Sequence, residues 1–464
     1  MSDKDIILTI NVVEPELVAA VHKHAQELGR ELKGLVLIDR DYAKAEDDTE
    51  HDLPRDTTGL FTEIFCDLND PDEIQEVLKP YINRLLAATC RYENSMYHFK
   101  NVVPFVPYVT TPSESSLVWS LEKPLMRDRL STYDKSLTPR YQYVEAGDIA
   151  NIAELINDFS FPVIVKPGGL SASLLVTRCE SLDELKECLR TTFQLIEDIY
   201  EREHREVTPS VLVEEFMEGD MYSTDAYVTE KGEVFCLPLV KVVTAYSIGL
   251  PGFYSYRHII PVGLTDDEVQ AAFLASEKAV HALNLRSTTT HIELYYTPQG
   301  WKIIELGARI GGYRAALYEE AYGTDHFYND LAIHMGKKPI MPGLPIKHAA
   351  GFNIYADEEG EITSIEGFEE ASQLESVVTM GIKAKSGDIA LFASKGGKLI
   401  VDGILSNDDP EKLEADMAKI RDLVKIHIKK TSDAEDQVTV NPEDLQYPQS
   451  SHRVEAHQEA AFRH

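Results

Sequence analysis

Apolar positions recur along this chain with two periods that trade places in order. Ile6–Ile10 is a short apolar run and predicts a strand. Leu17, Val21, Ala25 and Leu28 then follow at helical spacing, and Leu35–Ile38 is an apolar run again. Phe61–Phe65, a helix from about Pro71, and Leu85–Ala88 continue the alternation. Strand–helix–strand order predicts a parallel sheet with helical cover in this first part of the chain. The stretch after the first strand is Asn11-Val12-Val13-Glu14 rather than Gly-x-Gly-x-x-Gly, which argues against a dinucleotide site there. Asp39–Asp56 is polar and acidic and is expected to form a loop.

Further on the pattern changes. The apolar run Phe161–Val165 ends in Lys166, a loop of small residues follows, and Leu174–Thr177 is apolar again. Ser181-Leu182-Asp183-Glu184 reads as a capping box opening a helix with Leu185, Cys188, Leu189 and Phe193 inward. This strand–strand–helix unit has the size of a mobile lid. Val211–Val213 runs into the acidic hinge Glu214-Glu215-Phe216-Met217-Glu218, a Gly219 turn and an alternating strand. Thr265 and Glu268 form a second capping box, for a helix with Val269, Ala272, Phe273, Val280 and Leu283 inward. From His348 to about Ile428 the pattern is strands and turns, closed by a helix from about Pro410. Residues 431–464 are polar without periodicity and are expected to be a mobile tail.

A chain of 464 residues exceeds one ordinary core, so two to four domains are expected. The start Met-Ser-Asp-Lys-Asp lacks the apolar core of a signal peptide, and no apolar run reaches membrane-span length; both predict a cytoplasmic protein with no membrane partner. Five scattered cysteines without metal or redox spacing read as reduced thiols. A net charge of −33 argues against nucleic acid as a partner and requires any polyphosphate site to be made by local Lys and Arg.

Candidate chemistry concentrates in Thr290–Arg314. Two apolar-flanked strands carry one carboxylate each, Glu293 and Glu305, joined by the turn Pro298-Gln299-Gly300. If they pair antiparallel, both carboxylates can share one face. Two such hard anions repel unless a cation lies between them, and Mg²⁺ bridging phosphates suits that pair. Arg309 and the glycines Gly311 and Gly312 follow at once, and glycines there would let the backbone approach a ligand closely. Upstream, Lys166 ends its strand beside Ser171 and Ser173, where backbone amides can fold over phosphates. Read alone, that stretch is equally a plain hairpin with a snorkelling lysine. The hinge Glu214–Met217 can offer backbone groups to an adenine edge, or be an ordinary strand connection. Glu93 follows a strand end, where open α/β sheets place ligand contacts, or is a solvated loop acid.

Taken in order, these segments resemble the ATP-grasp superfamily, and most its L-amino acid (dipeptide) ligase branch, over roughly residues 1–425. The resemblance implies an α/β (α+β) fold with an N-terminal parallel α/β domain at 1–118. It implies a lid subdomain at 119–207, a catalytic subdomain at 208–345 and a β-rich C-terminal subdomain at 346–430. By the same resemblance Lys123 and Lys166 hold nucleotide phosphates, Glu214–Met217 contact adenine, and Glu293 and Glu305 ligate Mg²⁺, or Mn²⁺. Arg309 would stabilise the reacting acyl-phosphate species, with Gly312 as a backbone contact. Arg257 and His258 lie on a strand that often faces the acceptor substrate in the family, and His291, close to the metal pair, is either a supporting group there or a buried core residue. The chain departs from the pattern at Gly307, where the family often has Asn, at Met221, where it often has a ribose-binding Glu, and at Ser173-Leu174-Leu175-Val176, which is poor in glycine. The implied activity is ATP-dependent joining of a carboxylate to an amine, with small molecules as partners, homodimerisation open, and release of ADP and phosphate. The alternatives are a carboxylase that activates bicarbonate and a nucleotide-binding protein without turnover.

Overall fold

The computed structural model describes residues 4–42, 56–167, 176–202, 211–244, 255–391 and 398–430, with backbone alone for 197–202, 244 and 255–258. Expected features at Ser171, Ser173 and 431–464 lie outside the described residues, as does most of the acidic loop.

The first domain is as the alternation predicts. Ile6–Ile10, Lys33–Asp39, Phe61–Cys66 and Leu85–Ala88 form a four-stranded sheet, all parallel, with Ile6–Ile10 between Lys33–Asp39 and Leu85–Ala88. Ile6–Ile10 is buried along its whole length, which is why its sequence is apolar without alternation. The helix Pro15–Leu28 starts on a proline whose missing N–H would be unbonded there anyway. Asp70 caps the helix Pro71–Leu78 by accepting from the amides of Asp72 and Glu73.

A second four-stranded sheet makes the lid unit, in the order Tyr141–Val144, Val211–Glu215, Val163–Pro167, Thr177–Cys179. The helix Leu182–Arg202 covers it through Leu185, Leu189, Phe193 and Ile196. Ser181 Oγ accepts from the Glu184 amide as expected, but the Glu184 carboxylate reaches the amide of Glu180. Val211–Glu215 is an inner strand of this sheet, so the lid sheet extends past residue 207.

A nine-stranded antiparallel sheet forms the body. Its path runs Gly300–Gly307, Thr288–Thr297, Asp220–Val228, Val240–Thr244, Ser255–Ile260, His348–Ile354, Val401–Asn407, Val377–Ile382, with Val234–Cys236 paired beside Asp220–Val228. The last three strands of that path come from beyond residue 345, so the C-terminal segment shares this sheet. It adds its own three-stranded sheet of Ile389–Ala390, Gly360–Glu366 and Lys425–Lys429. The helix Asp266–Ala282, opened by the expected Thr265–Glu268 capping box, packs behind the Thr288–Gly307 hairpin. One continuous core joins that helix and the hairpin's back to the N-terminal sheet through Ile292, Leu294, Trp301, Ile303 and Leu306. Among the described residues, no helix is long and apolar enough to cross a membrane.

Candidate active site

The hairpin sets the site. Pro298 and Gln299 form its turn, Thr297 pairs with Gly300, and Gly300 takes φ +95°, a conformation that favours glycine. Glu293 stands directly across from Glu305. Directly opposed residues project to one side of a sheet, and their Cβ atoms lie about 4.5–5.5 Å apart. Since Ile292, Leu294, Trp301, Ile303 and Leu306 fill the core face, both carboxylates look the other way. The expected shared face is therefore present.

Two rows cross the sheet on that face. Ser223, Glu293 and Glu305 make one, and Asp225, His291 and Gly307 the next. Asp225 is fully buried and accepts three hydrogen bonds: from His291 Nδ1 at 2.7 Å, His326 Nε2 at 2.7 Å and the Gly311 amide at 2.8 Å. Tyr227 Oη lies 2.6 Å from the other nitrogen of His326. Burial alone would raise the pKa of Asp225, but His291 and His326 hold it far below the usual carboxylate range. His291 Nε2 lies 3.4 Å from Glu293. Burial would strip the proton from His291; Asp225 outweighs that and raises its pKa. The result is a chain Asp225–His291–Glu293 that fixes the first carboxylate from behind. His291 is thus a supporting group beside the pair rather than an isolated core histidine.

Gly311 and Gly312 have different reasons to be glycine. A Cβ at Gly311 would come within 2.7 Å of His291 Cε1 and of Arg314 Cγ, and nearer still to His291 Nδ1. Its empty side makes room for His291, not for a ligand. At Gly312 nothing lies within 4 Å of an added Cβ, so the space beside its backbone is open. Arg314 follows, donating to Ser223 Oγ at 2.6 Å and to the Gly312 carbonyl at 3.0 Å. Between them, Tyr313 holds φ +59°, an uncommon conformation for a bulky residue.

Cations close the other side. Lys123, at the first position of the helix Lys123–Tyr133, places Nζ 3.6 Å from Glu305. Lys166 Nζ lies 2.7 Å from Glu214, and Arg127 pairs with the same carboxylate. Lys123, Lys166, Arg127 and Ile304, the residue before Glu305, line one small cavity. The two lysines, 43 positions apart in sequence, thus line one cavity, and Lys123 reaches Glu305. Burial would raise the pKa of Glu214, but Arg127 and Lys166 outweigh it and bring it down to about 2. Its carboxylate is committed to these cations, so of the hinge it is Glu215–Met217 that stays at the margin: half-buried, with Arg178 stacked over the Phe216 ring.

Arg309 pairs with Glu93, which arrives from the N-terminal domain; burial works against the cation and Glu93 outweighs it, raising the Arg309 pKa. A Cβ at Gly307 would meet Glu93 Oε2 at 3.6 Å and Arg309 Cγ at 3.7 Å, so the departure at Gly307 adjoins this pair. Arg91 is buried on Asp330 at 2.9 Å and ties the same strand end to the helix His326–His334. Arg257 and His258 lie on the strand Ser255–Ile260, two strands from Asp220–Val228.

The donor set suits a small hard cation. Among the described residues, no group of three or more His, Cys, Asp or Glu gathers as a metal nest. Two facing carboxylates match Mg²⁺ or Mn²⁺, which accept one or two protein carboxylates and take their other ligands from water and phosphate.

Two facing acids on a hairpin, a small lid sheet with a strand-end lysine and a parallel N-terminal domain are the setting in which the likeness to known proteins falls. Residues 159–316 match the family described as the ATP-grasp domain. An uncharacterized protein, y4rH, of Sinorhizobium fredii is 24% identical over 263 residues, covering 56% of this chain and 50% of that protein. The D-alanine–D-alanine ligase of Streptococcus pneumoniae is 26% identical over 203 residues, covering 42% and 53%. The chain thus spans about half the length of the curated relatives it matches. Among solved structures, the L-amino acid ligase from Bacillus licheniformis superposes with a TM-score of 0.72 at 19% identity, covering 93% of this chain and 100% of that one. N5-carboxyaminoimidazole ribonucleotide synthetase from Thermotoga maritima gives 0.62 at 17% identity, covering 92% and 100%. At these identities the likeness is one of fold.

Proposed function

We propose that this protein is an ATP-dependent carboxylate–amine ligase that joins small substrates, amino acids being the favoured class, through an acyl phosphate with release of ADP and phosphate. The observation that carries this is the facing pair Glu293–Glu305 with Lys123 on Glu305, Arg309 acting electrostatically on both acids and Lys166 lining the cavity beside Ile304. The relatives named D-alanine–D-alanine ligase and L-amino acid ligase support the amino-acid class.

A carboxylate oxygen is a poor leaving group, so amide formation in water needs activation, and phosphorylation supplies it. Glu293 and Glu305 would hold Mg²⁺ or Mn²⁺, which would neutralise phosphate charge. Lys123 and Lys166 add fixed positive charge at the nucleotide, and Arg309 adds it where the acyl phosphate and tetrahedral species form. Glu215–Met217 would receive the base. Glu93, Arg257 and His258 are proposed to face the substrates. The lid unit over Tyr141–Glu215 would exclude water and protect the acyl phosphate from hydrolysis. The protein's task is position and charge, and no nucleophilic side chain is required.

Released ADP measured with pooled amino acids, with bicarbonate and with no acceptor tests this. Stimulation by paired amino acids supports the ligase. Stimulation by bicarbonate alone would assign a carboxylase, and no turnover in any arm would overturn an enzymatic role.

A further inference from the structure

We propose that Arg127 is a positioning residue that holds the backbone bulge aiming Glu305 at the nucleotide face. The aim rests on the metal-site reading above; the bulge does not. Pairing along the hairpin steps from Glu293–Glu305 to Leu294–Ile303, so Ile304 has no partner. Trp301 and Ile303 face the core, and a regular pleat would send Glu305 after them. The extra residue reverses the phase, so that Leu306 and Ala308 enter the core and Glu305 turns outward beside Glu293.

A bulge disrupts the ladder and leaves backbone groups to be bonded by other means. Here one guanidinium takes two successive carbonyls. Arg127 Nη1 donates to the Ile303 carbonyl at 3.1 Å, and Nη2 to that of Ile304 at 2.7 Å. Its Nε faces Glu214, which also holds Lys166 at 2.7 Å. Arg127 is 2% exposed and Glu214 1%. One turn earlier on the same helix, Lys123 reaches Glu305 itself. A single side chain therefore links the lid strand that carries Glu214, the partner of Lys166, to the bulge that precedes Glu305. A planar fork can bridge two adjacent carbonyls while keeping an ion pair; an ammonium cannot.

The test compares wild type with Arg127→Lys, which keeps the charge beside Glu214 and loses the fork. Two quantities are measured: amide hydrogen exchange over Ile303–Gly307 without ligand, and Mn²⁺ affinity in the presence of ATP by electron paramagnetic resonance of free Mn²⁺. We expect exchange in 303–307 to quicken about tenfold, with the helix Asp266–Ala282 unchanged. Mn²⁺ affinity should fall about 10-fold or more, the usual effect of losing a group that orients a metal ligand. Glu214→Gln keeps the fork and should leave exchange in 303–307 near wild type. Wild-type exchange in Arg127→Lys would overturn the proposal, and so would equal loosening in Glu214→Gln. Failure of wild type to bind Mn²⁺ with ATP would overturn the metal-site reading, while the exchange arm still decides the clamp. Should Arg127→Lys fail to fold, Arg127→Met/Glu214→Gln removes both members of the buried pair and carries the same measurements and expectations.

Discussion

Replacing Gly311 by alanine tests how the site is held together. The added Cβ would sit 2.7 Å from His291 Cε1 and 2.7 Å from Arg314 Cγ, where carbon atoms normally rest about 3.5–4.0 Å apart. Something must move by close to an ångström. If His291 and Arg314 yield, forced repacking of a dense site costs about 1–3 kcal/mol. If the backbone yields, the Gly311 amide leaves Asp225, and a hydrogen bond to a charged group is worth about 1.5–3 kcal/mol. Either route disturbs the Asp225–His291–Glu293 chain, so we expect roughly 1–3 kcal/mol of destabilisation. Taken at about 2 kcal/mol, that lowers the melting transition by about 2–4 °C in scanning calorimetry. Gly312→Ala is the internal control: nothing lies within 4 Å of its added Cβ, so stability should stay within about 0.5 kcal/mol of wild type. Calorimetry on both variants, with Mn²⁺ titration alongside, decides the matter. Equal melting temperatures for Gly311→Ala and wild type would refute the idea that this glycine exists to admit His291.

The other expectations concern charge. Glu305→Gln and Arg309→Ala should each abolish ATP-dependent product formation while the circular dichroism spectrum stays wild-type; an active Glu305→Gln enzyme would remove the metal assignment. Asp225→Asn should weaken Mn²⁺ binding about 10–100-fold by loosening His291 behind Glu293, measured by direct titration. Glu214 has its pKa lowered from 4.5 to about 2, so it stabilises the fold above pH 4.5 and that contribution is lost as pH falls toward 2. Melting temperature followed against pH should show an acid limb that Glu214→Gln flattens, and an identical limb in that variant would contradict the Arg127–Glu214–Lys166 pairing.

Much of this site can be read in the sequence because its key groups are close together in the chain. Glu293 and Glu305 flank one short turn, so an antiparallel hairpin brings them close, and the bulge at Ile304 then sets them face to face. The N-terminal sheet is legible for a similar reason: strands buried on both sides must be apolar throughout, and helices between them must repeat every three or four residues. Arg127 is not legible in this way. It sits among basic residues on a helix start, and its partners lie 87, 176 and 177 positions away. Asp225 stands in a strand of mixed polarity beside Ser223 and Thr224, and only the fold shows that His291, His326 and Gly311 converge on it. The bulge did leave a trace. The spacing of Trp301, Ile303, Leu306 and Ala308 breaks a strict alternation just before the second acid, so a phase count along that strand finds it. Gly311 points to another limit: a glycine beside a site signals room, but sequence does not say whether a ligand or a neighbouring side chain fills it.

We propose that Glu293 and Glu305 together hold a divalent ion that carries the nucleotide's phosphates. Crystals grown with Mn²⁺ and a non-hydrolysable ATP analogue, measured at the manganese edge, test it most directly. The account predicts an anomalous peak bridging the two carboxylates and the phosphates, on the side of Lys123 and Lys166. Bound nucleotide with its manganese away from both carboxylates would contradict it.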